Sequence, residues 1–361
     1  MKQHMNTTNK AHRHLLVFRL SALGDVVMTI PAIYSCARSN PKCTLHVVTS
    51  EFCAQLFIGA PENIILHQIG KNNQHGLMGT WRMLRQLHQI PVDAVADLHN
   101  VLRSWVVDWS FRLRGKRVQM LDKMRHERQQ ILHKGKIASQ PFTERYFNVF
   151  RKLGLKIEPL FSSVTEDDNT SLPDFSTILP DDGLTPIGIA PFARYQNKTY
   201  PLPLMEQVVE RLSADGRFRT LLFSGGKSER EQMEIWQKKY ANTISVAGRF
   251  NLADEVRLMG RLKAMVTMDS ANMHLASLVG CRVISVWGST TPKCGFLGWQ
   301  QNESDAFVAG CHCQPCTIAG SAKCRYGDYH CLTSITPNKI YTRITEISAC
   351  SDSNFSTHQC C

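Results

Sequence analysis

The chain has 361 residues, 43% of them hydrophobic and 20% charged, a globular composition too long for one ordinary core and suited to two α/β domains. It holds no run of about eighteen uncharged apolar residues, which argues against a spanning helix. The most apolar early stretch, residues 15–37, is broken by Arg19 and Asp25 and makes a poor signal core, so a cytoplasmic protein is expected. Lys and Arg outnumber Asp and Glu by 42 to 30, a net charge of +12. That excess favours acidic partners: nucleoside diphosphates, phosphorylated glycolipids or an anionic inner-membrane surface.

Short β-branched runs alternate with longer amphipathic ones, the pattern of βαβ units. In the first half, strands are expected over residues 15–20, 45–49, 64–69, 94–98 and 117–121, with helices over 26–38, 77–89 and 143–153. A basic cluster follows from Arg112 to Lys136; it reads as a solvated face or as a contact with acidic partners. No nucleic-acid-binding motif with interleaved aromatics accompanies it, so nucleic acid is not an expected partner. Residues 166–184 are acidic, rich in Ser, Thr and Pro, and without periodicity, and read as a linker.

In the second half, strands are expected over 187–190, 220–223, 244–246, 265–268 and 283–287. Helices are expected over 204–214, 229–240, 252–261 and 270–278, and a last one from Pro337 to residue 347. The tail, 348–361, reads as disordered. The domains are thus residues 1–165, a linker over 166–184, a second lobe over 185–336 with a Cys-rich loop at 311–331, and a closing helix and tail over 337–361. Doubly wound lobes bind ligands outside the carboxyl ends of their strands, so the residues after each strand matter most.

After the first strand comes Ser21-Ala22-Leu23-Gly24-Asp25, with a helix starting near Asp25. A carboxylate there can accept a proton from a sugar hydroxyl, or simply cap the helix. The fingerprint Gly-x-Gly-x-x-Gly is absent at this turn, which counts against an NAD enzyme. Arg194 and Lys198 lie in the loop after residue 190, where two cations can neutralise a leaving diphosphate. Ser224-Gly225-Gly226-Lys227-Ser228-Glu229 either lets backbone approach a ligand or makes a tight turn. Asp269-Ser270-Ala271-Asn272 closes another strand and opens a helix, with His274 one turn on. The amides there can hold phosphate oxygens and Asp269 sugar hydroxyls; otherwise Asp269 is a cap and His274 a core histidine.

The chain contains thirteen cysteines, and Cys311, Cys313, Cys316, Cys324 and Cys331 fall in one short segment. Cys313 and Cys316 have the spacing of a zinc knuckle, with Cys324 and Cys331 as further candidates, but the second pair lacks that spacing. Reduced thiols in a loop are the simpler reading, and no metal is expected.

The Asp25 turn, the Asp269–His274 segment and Val286-Trp287-Gly288-Ser289-Thr290-Thr291-Pro292, in this order and at this separation, resemble the lipopolysaccharide heptosyltransferases of glycosyltransferase family 9. The resemblance spans residues 13–345 in organisation and is sharp at these motifs. It implies a GT-B fold, α/β, with two Rossmann-like doubly wound parallel-sheet lobes, the acceptor held by the first and the nucleotide sugar by the second. It also implies inverting transfer without a metal or other cofactor, from a nucleotide sugar such as ADP-heptose to a glycolipid such as the lipopolysaccharide inner core. Asp25 matches the family's general base and Lys198 its phosphate-binding lysine. Asp269, Ser270, Ala271 and Asn272 match its donor-binding turn, His274 its helix histidine, Glu229 a nucleotide-contacting acid, and Arg103 a basic acceptor-side residue. Pro191-Phe192-Ala193-Arg194 departs from the His- and Thr-rich loop of many members, and Ser270-Ala271 from their Thr-Gly, and both departures touch the donor site. The alternatives are a nucleotide-sugar epimerase on the same architecture and a non-catalytic nucleotide- or zinc-binding protein.

Overall fold

The computed structural model describes residues 14–70, 76–123, 125–320 and 323–349. The chain divides into two compact units, one of residues 1–124 and 142–168, the other of 125–141 and 169–361.

In unit 1 the chain runs β1 (His14–Phe18), α1 (Leu23–Ser39), β2 (Thr44–Ser50), α2 (Glu51–Ala54), β3 (Ile64–Ile69), α3 (Gly76–Leu87), β4 (Ala94–Asp97), α4 (Leu102–Arg112) and β5 (Arg117–Met120). After α5 (Arg125–Lys134), which belongs to unit 2, α6 (Phe142–Lys152) returns to unit 1. The strands are parallel in the order β3-β2-β1-β4-β5. Leu16, Phe18, Val48 and Val95 meet Met83 and Leu87 of α3 and Val107 and Phe111 of α4 in one apolar cluster. On α1, Val26, Val27, Ile30, Ile33 and Tyr34 are all buried, and α1 packs on α6. Such a helix, apolar around most of its circumference, is stable only when covered on more than one side.

Unit 2 continues with β6 (Thr185–Ala190), α7 (Leu202–Asp215), β7 (Phe218–Leu222), α8 (Lys227–Lys239), β8 (Thr243–Ser245), α9 (Leu252–Met259), β9 (Ala264–Met268), α10 (Ala271–Leu278), β10 (Val283–Trp287), β11 (Ala306–Val308), α11 (His330–Thr333) and α12 (Pro337–Ala349). Its parallel sheet has the order β11-β10-β9-β6-β7-β8. Ile340, Ile344 and Ile347 form one stripe of α12 and join Met205, Val208 and Leu212 of α7 in the core. Burying each of those isoleucines is worth roughly 1.5–3 kcal/mol.

Three expectations change. Residues 125–141, assigned from sequence to the first lobe, group with unit 2, where Ile131 packs with Cys294 and Ile318. The basic cluster is therefore divided, its Arg112–Lys123 part in one unit and its later part in the other. Residues 169–184, read as linker, also join unit 2: Ile178 is buried and the Phe175 ring meets Phe250 edge-on at 5.3 Å. Finally, α12 extends through Ser348 and Ala349, and the rest of the expected tail lies outside the described residues.

Candidate functional site

In each sheet the order reverses once, and side chains after the two flanking strands converge at such a switch point. In unit 1 the switch lies between β1 and β4, and in unit 2 between β6 and β9.

At the unit 1 switch, Arg19 leaves β1 with its N–H bonded to the Val48 carbonyl at 3.0 Å, and its side chain is buried. One guanidinium nitrogen donates to the Leu98 carbonyl at 2.6 Å, and another meets Asp25 Oδ2 at 2.6 Å. Asp25 is not the cap of α1. Ala22 holds that position, and Asp25 sits in the first turn with Oδ2 also facing the Ala22 N–H at 3.4 Å. The Asp25 side chain remains 39% exposed, and among the described residues its Oδ1 carries no contact. One oxygen is thus held while the other stays open.

Across the switch, Asp97 ends β4 as a buried carboxylate. It accepts from the N–H of His99 at 2.7 Å and of Asn100 at 2.9 Å, and from Ser104 Oγ at 2.6 Å. Asn100 takes φ 45°, a turn that places Arg103 in the first helical turn of α4. Burial, with the cations Arg19 and Lys123 adding to it, pushes the His99 imidazole down to about 3 and keeps it neutral. Burial likewise raises the Tyr146 phenol, which also feels Arg19 and Asp25. Among the described residues, Arg19 Nε, His99 Nδ1 and Tyr146 Oη are buried and find no hydrogen-bond partner. Such orphans call for a ligand or water to satisfy them.

At the unit 2 switch, a 3₁₀ turn (Gln196–Lys198) follows β6. Lys198 Nζ meets Asp269 Oδ2 at 2.7 Å, with the side chains 13% and 5% exposed. Thr290, after β10, donates its hydroxyl to the same oxygen. Ser270 occupies the N-cap of α10 but makes no capping bond; its hydroxyl pairs with that of Thr267 at 3.2 Å. The first amides of α10 are therefore open to an anion. His274 is buried one turn along. Arg194 is exposed, its guanidinium 5.5 Å from the Tyr195 ring. Beyond β7, the Gly225 and Gly226 N–H groups donate to Glu229 Oε2 at 2.8 and 3.2 Å, so this glycine turn is closed by its own glutamate.

The Cys-rich loop is fastened to the turn that follows β10. Gln314 Nε2 donates to the carbonyls of Trp287 at 3.0 Å and Gly288 at 2.6 Å, and the N–H of Cys316 to Ser289 O at 3.0 Å. A side chain at Gly288 would come 2.3 Å from Asn197 O, and one at Gly320 would come 2.2 Å from Lys198 Cδ, so both positions need glycine for the close approach. Cys311, Cys313, Cys316, Cys324 and Cys331 line one cavity of about 280 Å³ with Asn197 and Ser289. Burial and the neighbouring thiols push Cys331 up to about 12. Burial opposes ionisation of Cys324 too, but the N–H groups of Tyr329, Tyr326 and Gly327 outweigh it and lower that thiol. Among the described residues, no group of three or more Cys, His, Asp or Glu is placed to hold a metal ion.

The sequence singled out Asp25, Lys198 and Asp269, and the structure pairs the last two. Arg19, Asp97, His99, Tyr146 and Thr290 were missed. Their signal lies in burial of polar groups, which spacing does not reveal.

Two doubly wound parallel-sheet units, each with a charged pair at its switch point, make this a GT-B protein. The model of glycosyltransferase family 9 (heptosyltransferase) matches residues 80–329, and the chain belongs to that family: it is a glycosyltransferase. It is 25% identical over 316 residues to lipopolysaccharide heptosyltransferase 1 of Pseudomonas aeruginosa, covering 84% of this chain and 85% of that one. In fold it is similar to a family 9 glycosyltransferase of Veillonella parvula (TM-score 0.71, 18% identity, 93% and 97% of the two chains). It is also similar to the E. coli heptosyltransferase WaaC with ADP (TM-score 0.64, 18% identity, 92% and 99%). No described helix is long and apolar enough to cross a membrane.

Proposed function

We propose that the chain transfers a heptose, or a closely related sugar, from ADP-heptose to an acceptor of the lipopolysaccharide inner core, with inversion and without a catalytic metal. The observation that carries this reading is the Arg19–Asp25 pair at the first switch point of a family 9 chain. Asp25 Oδ1 takes the proton of an acceptor hydroxyl as the hydroxyl oxygen bonds the anomeric carbon. The bond from that carbon to the diphosphate breaks on the opposite side, and its electron pair leaves on the phosphate oxygen. Lys198, Arg194 and the first amides of α10 then carry the developing charge. Arg103 and His99 flank the acceptor hydroxyl at the β1/β4 switch. Family membership favours transfer over epimerisation, which needs no acceptor.

The test follows ADP release and product mass with ADP-heptose and a heptose-free core glycolipid, without added metal. A product heavier by one heptose is expected from the wild type. From Asp25→Asn we expect a rate reduced by roughly 10²–10⁴-fold with ADP affinity intact. Comparable rates for the two proteins would remove Asp25 as the base. Turnover only with UDP- or GDP-sugars would replace the donor.

A further inference from the structure

Helix α4 carries two apolar faces. Val107 and Phe111 enter the core of unit 1. Leu102, Val106, Trp109 and Leu113 follow one another at intervals of four, three and four residues, so they share the opposite face, and all are exposed, Leu113 to 84%. The neighbouring helix repeats the arrangement with Leu77, Met78 and Trp81 exposed outside a buried Met83 and Leu87. The two helices are adjacent: His88, just after α3, meets Ser110 of α4 at 3.1 Å and stacks edge-on with Phe111. An outward-facing apolar surface of this size is a contact surface for something.

The charges around it say what. Arg82 and Arg85 on α3 and Arg112, Arg114 and Lys116 at the end of α4 border the stripe. The Arg85 guanidinium lies 5.8 Å from the Trp81 ring and that of Arg112 lies 6.0 Å from the Trp109 ring. The carboxylates between residues 76 and 120 do not offset them: Asp97 and Asp108 are buried, and Asp93 accepts from the His14 N–H at 3.0 Å. A second copy of this chain would bring the same cations against them, so self-association through this face is disfavoured. Exposed indoles with aliphatic neighbours, ringed by arginines whose stems reach past them, match the interface of a bilayer rich in anionic lipid.

We propose that the outer face of α3 and α4 docks unit 1 on an anionic membrane surface, with Trp81, Trp109, Val106 and Leu113 entering the headgroup region and the arginines contacting lipid phosphates. The inference deepens the reading of a lipid-borne acceptor, but the docking itself does not depend on which sugar is transferred.

The experiment is co-sedimentation of the full chain with vesicles of equal parts phosphatidylglycerol and phosphatidylcholine, beside vesicles of phosphatidylcholine alone. The wild type is expected to bind the anionic vesicles selectively, and less as salt rises. Trp81→Ser/Trp109→Ser and Arg82→Glu/Arg85→Glu should each weaken vesicle affinity at least about tenfold, since each removes a part of the apolar or the electrostatic contact. Circular dichroism and melting temperature should match the wild type. Wild-type failure to bind anionic vesicles, equal binding to both vesicles, or undiminished binding by both variants would overturn the proposal. So would light scattering that shows a dimer dispersed by the same substitutions. Transfer to an acceptor in detergent tests the catalytic reading separately: if it fails while vesicle binding holds, docking stands and the acceptor assignment falls.

Discussion

Replacing Lys198 by Met separates what the Lys198–Asp269 pair does for stability from the donor contact proposed for it. The two groups are 2.7 Å apart and almost wholly enclosed. Removing one partner of such a pair strands the other charge, at a cost of about 3–5 kcal/mol. The Thr290 hydroxyl donates to the same carboxylate oxygen with or without Lys198, so the stranded charge keeps one partner and the loss falls at the low end of that range, roughly 3 kcal/mol. A loss of roughly 3 kcal/mol, in a unit of roughly 200 residues, lowers the melting temperature by about 6–12 °C. Adding Asp269→Leu removes the stranded charge, and the double variant should regain most of that stability. It should not regain ADP. Losing one charge-assisted bond to phosphate weakens ADP by about 10–100-fold, and no apolar side chain replaces it. Differential scanning fluorimetry with and without ADP, together with calorimetric titration, reads both effects. A Lys198→Met protein that melts with the wild type and binds ADP equally would refute both roles. Recovery of ADP binding in the double variant would refute the donor role alone.

Two buried groups of unit 1 should pull its stability in opposite directions as pH changes. Burial and the adjacent Asp97 hold the Asp108 carboxyl well above the usual carboxylate range. Folded Asp108 thus keeps a proton the unfolded chain has lost, and stability falls as pH rises from that ordinary range towards the raised value. Asp108→Asn, the shape of the protonated acid, should melt higher at pH 8 and flatten that limb; an unchanged limb would show that Asp108 does not cause it. On the acid side, burial and the flanking His67 and His14 push His46 down to about 4. The unfolded chain therefore takes up the proton first, and stability falls between about pH 6.5 and 4, by up to about 1.4 kcal/mol per pH unit. His46→Gln should reduce that slope in urea titrations across the range. In the Cys-rich loop, the lowered thiol of Cys324 should be alkylated by iodoacetamide before Cys331 at pH 7.5, as peptide mass spectrometry reads; the reverse order would contradict the amide contacts that lower it.

The strands were the legible part of the fold: the expected run at 283–287 coincides with β10, a buried and continuous apolar run, and that at 64–69 with β3, an edge strand announced by its paired isoleucines, Ile64 and Ile65. The α4 helix was not legible. With Leu102, Val106, Trp109 and Leu113 outward and Val107 and Phe111 inward, its sequence lacks the polar face by which a helix declares its period. Nor was the return of residues 125–141 to unit 2, since Ile131 finds its partners at Cys294 and Ile318, far along the chain. At the sites, strand–turn–helix signals singled out Asp25 and Asp269. The cysteine spacing raised a knuckle as one option, and the five thiols do line one cavity.

The two sheets share one topology. Read from β1 outward, unit 1 places β2 and β3 on one side and β4 and β5 on the other; from β6 outward, unit 2 places β7 and β8 on one side and β9, β10 and β11 on the other. Asp25 and Lys198 thus stand after equivalent strands, each paired with a more deeply buried group of opposite sign, Arg19 and Asp269. The sign is inverted between them. In unit 1 a buried cation steadies a carboxylate whose free oxygen faces solvent, which suits accepting a proton. In unit 2 a buried anion steadies an ammonium, beside amides that lack a cap, which suits receiving a phosphate. In the proposed mechanism, opposite charge at the two switch points puts the base and the leaving-group stabiliser on separate frames. Each pair can therefore be altered without disturbing the other, and for that reason Asp25→Asn is expected to spare ADP binding while Lys198→Met is not.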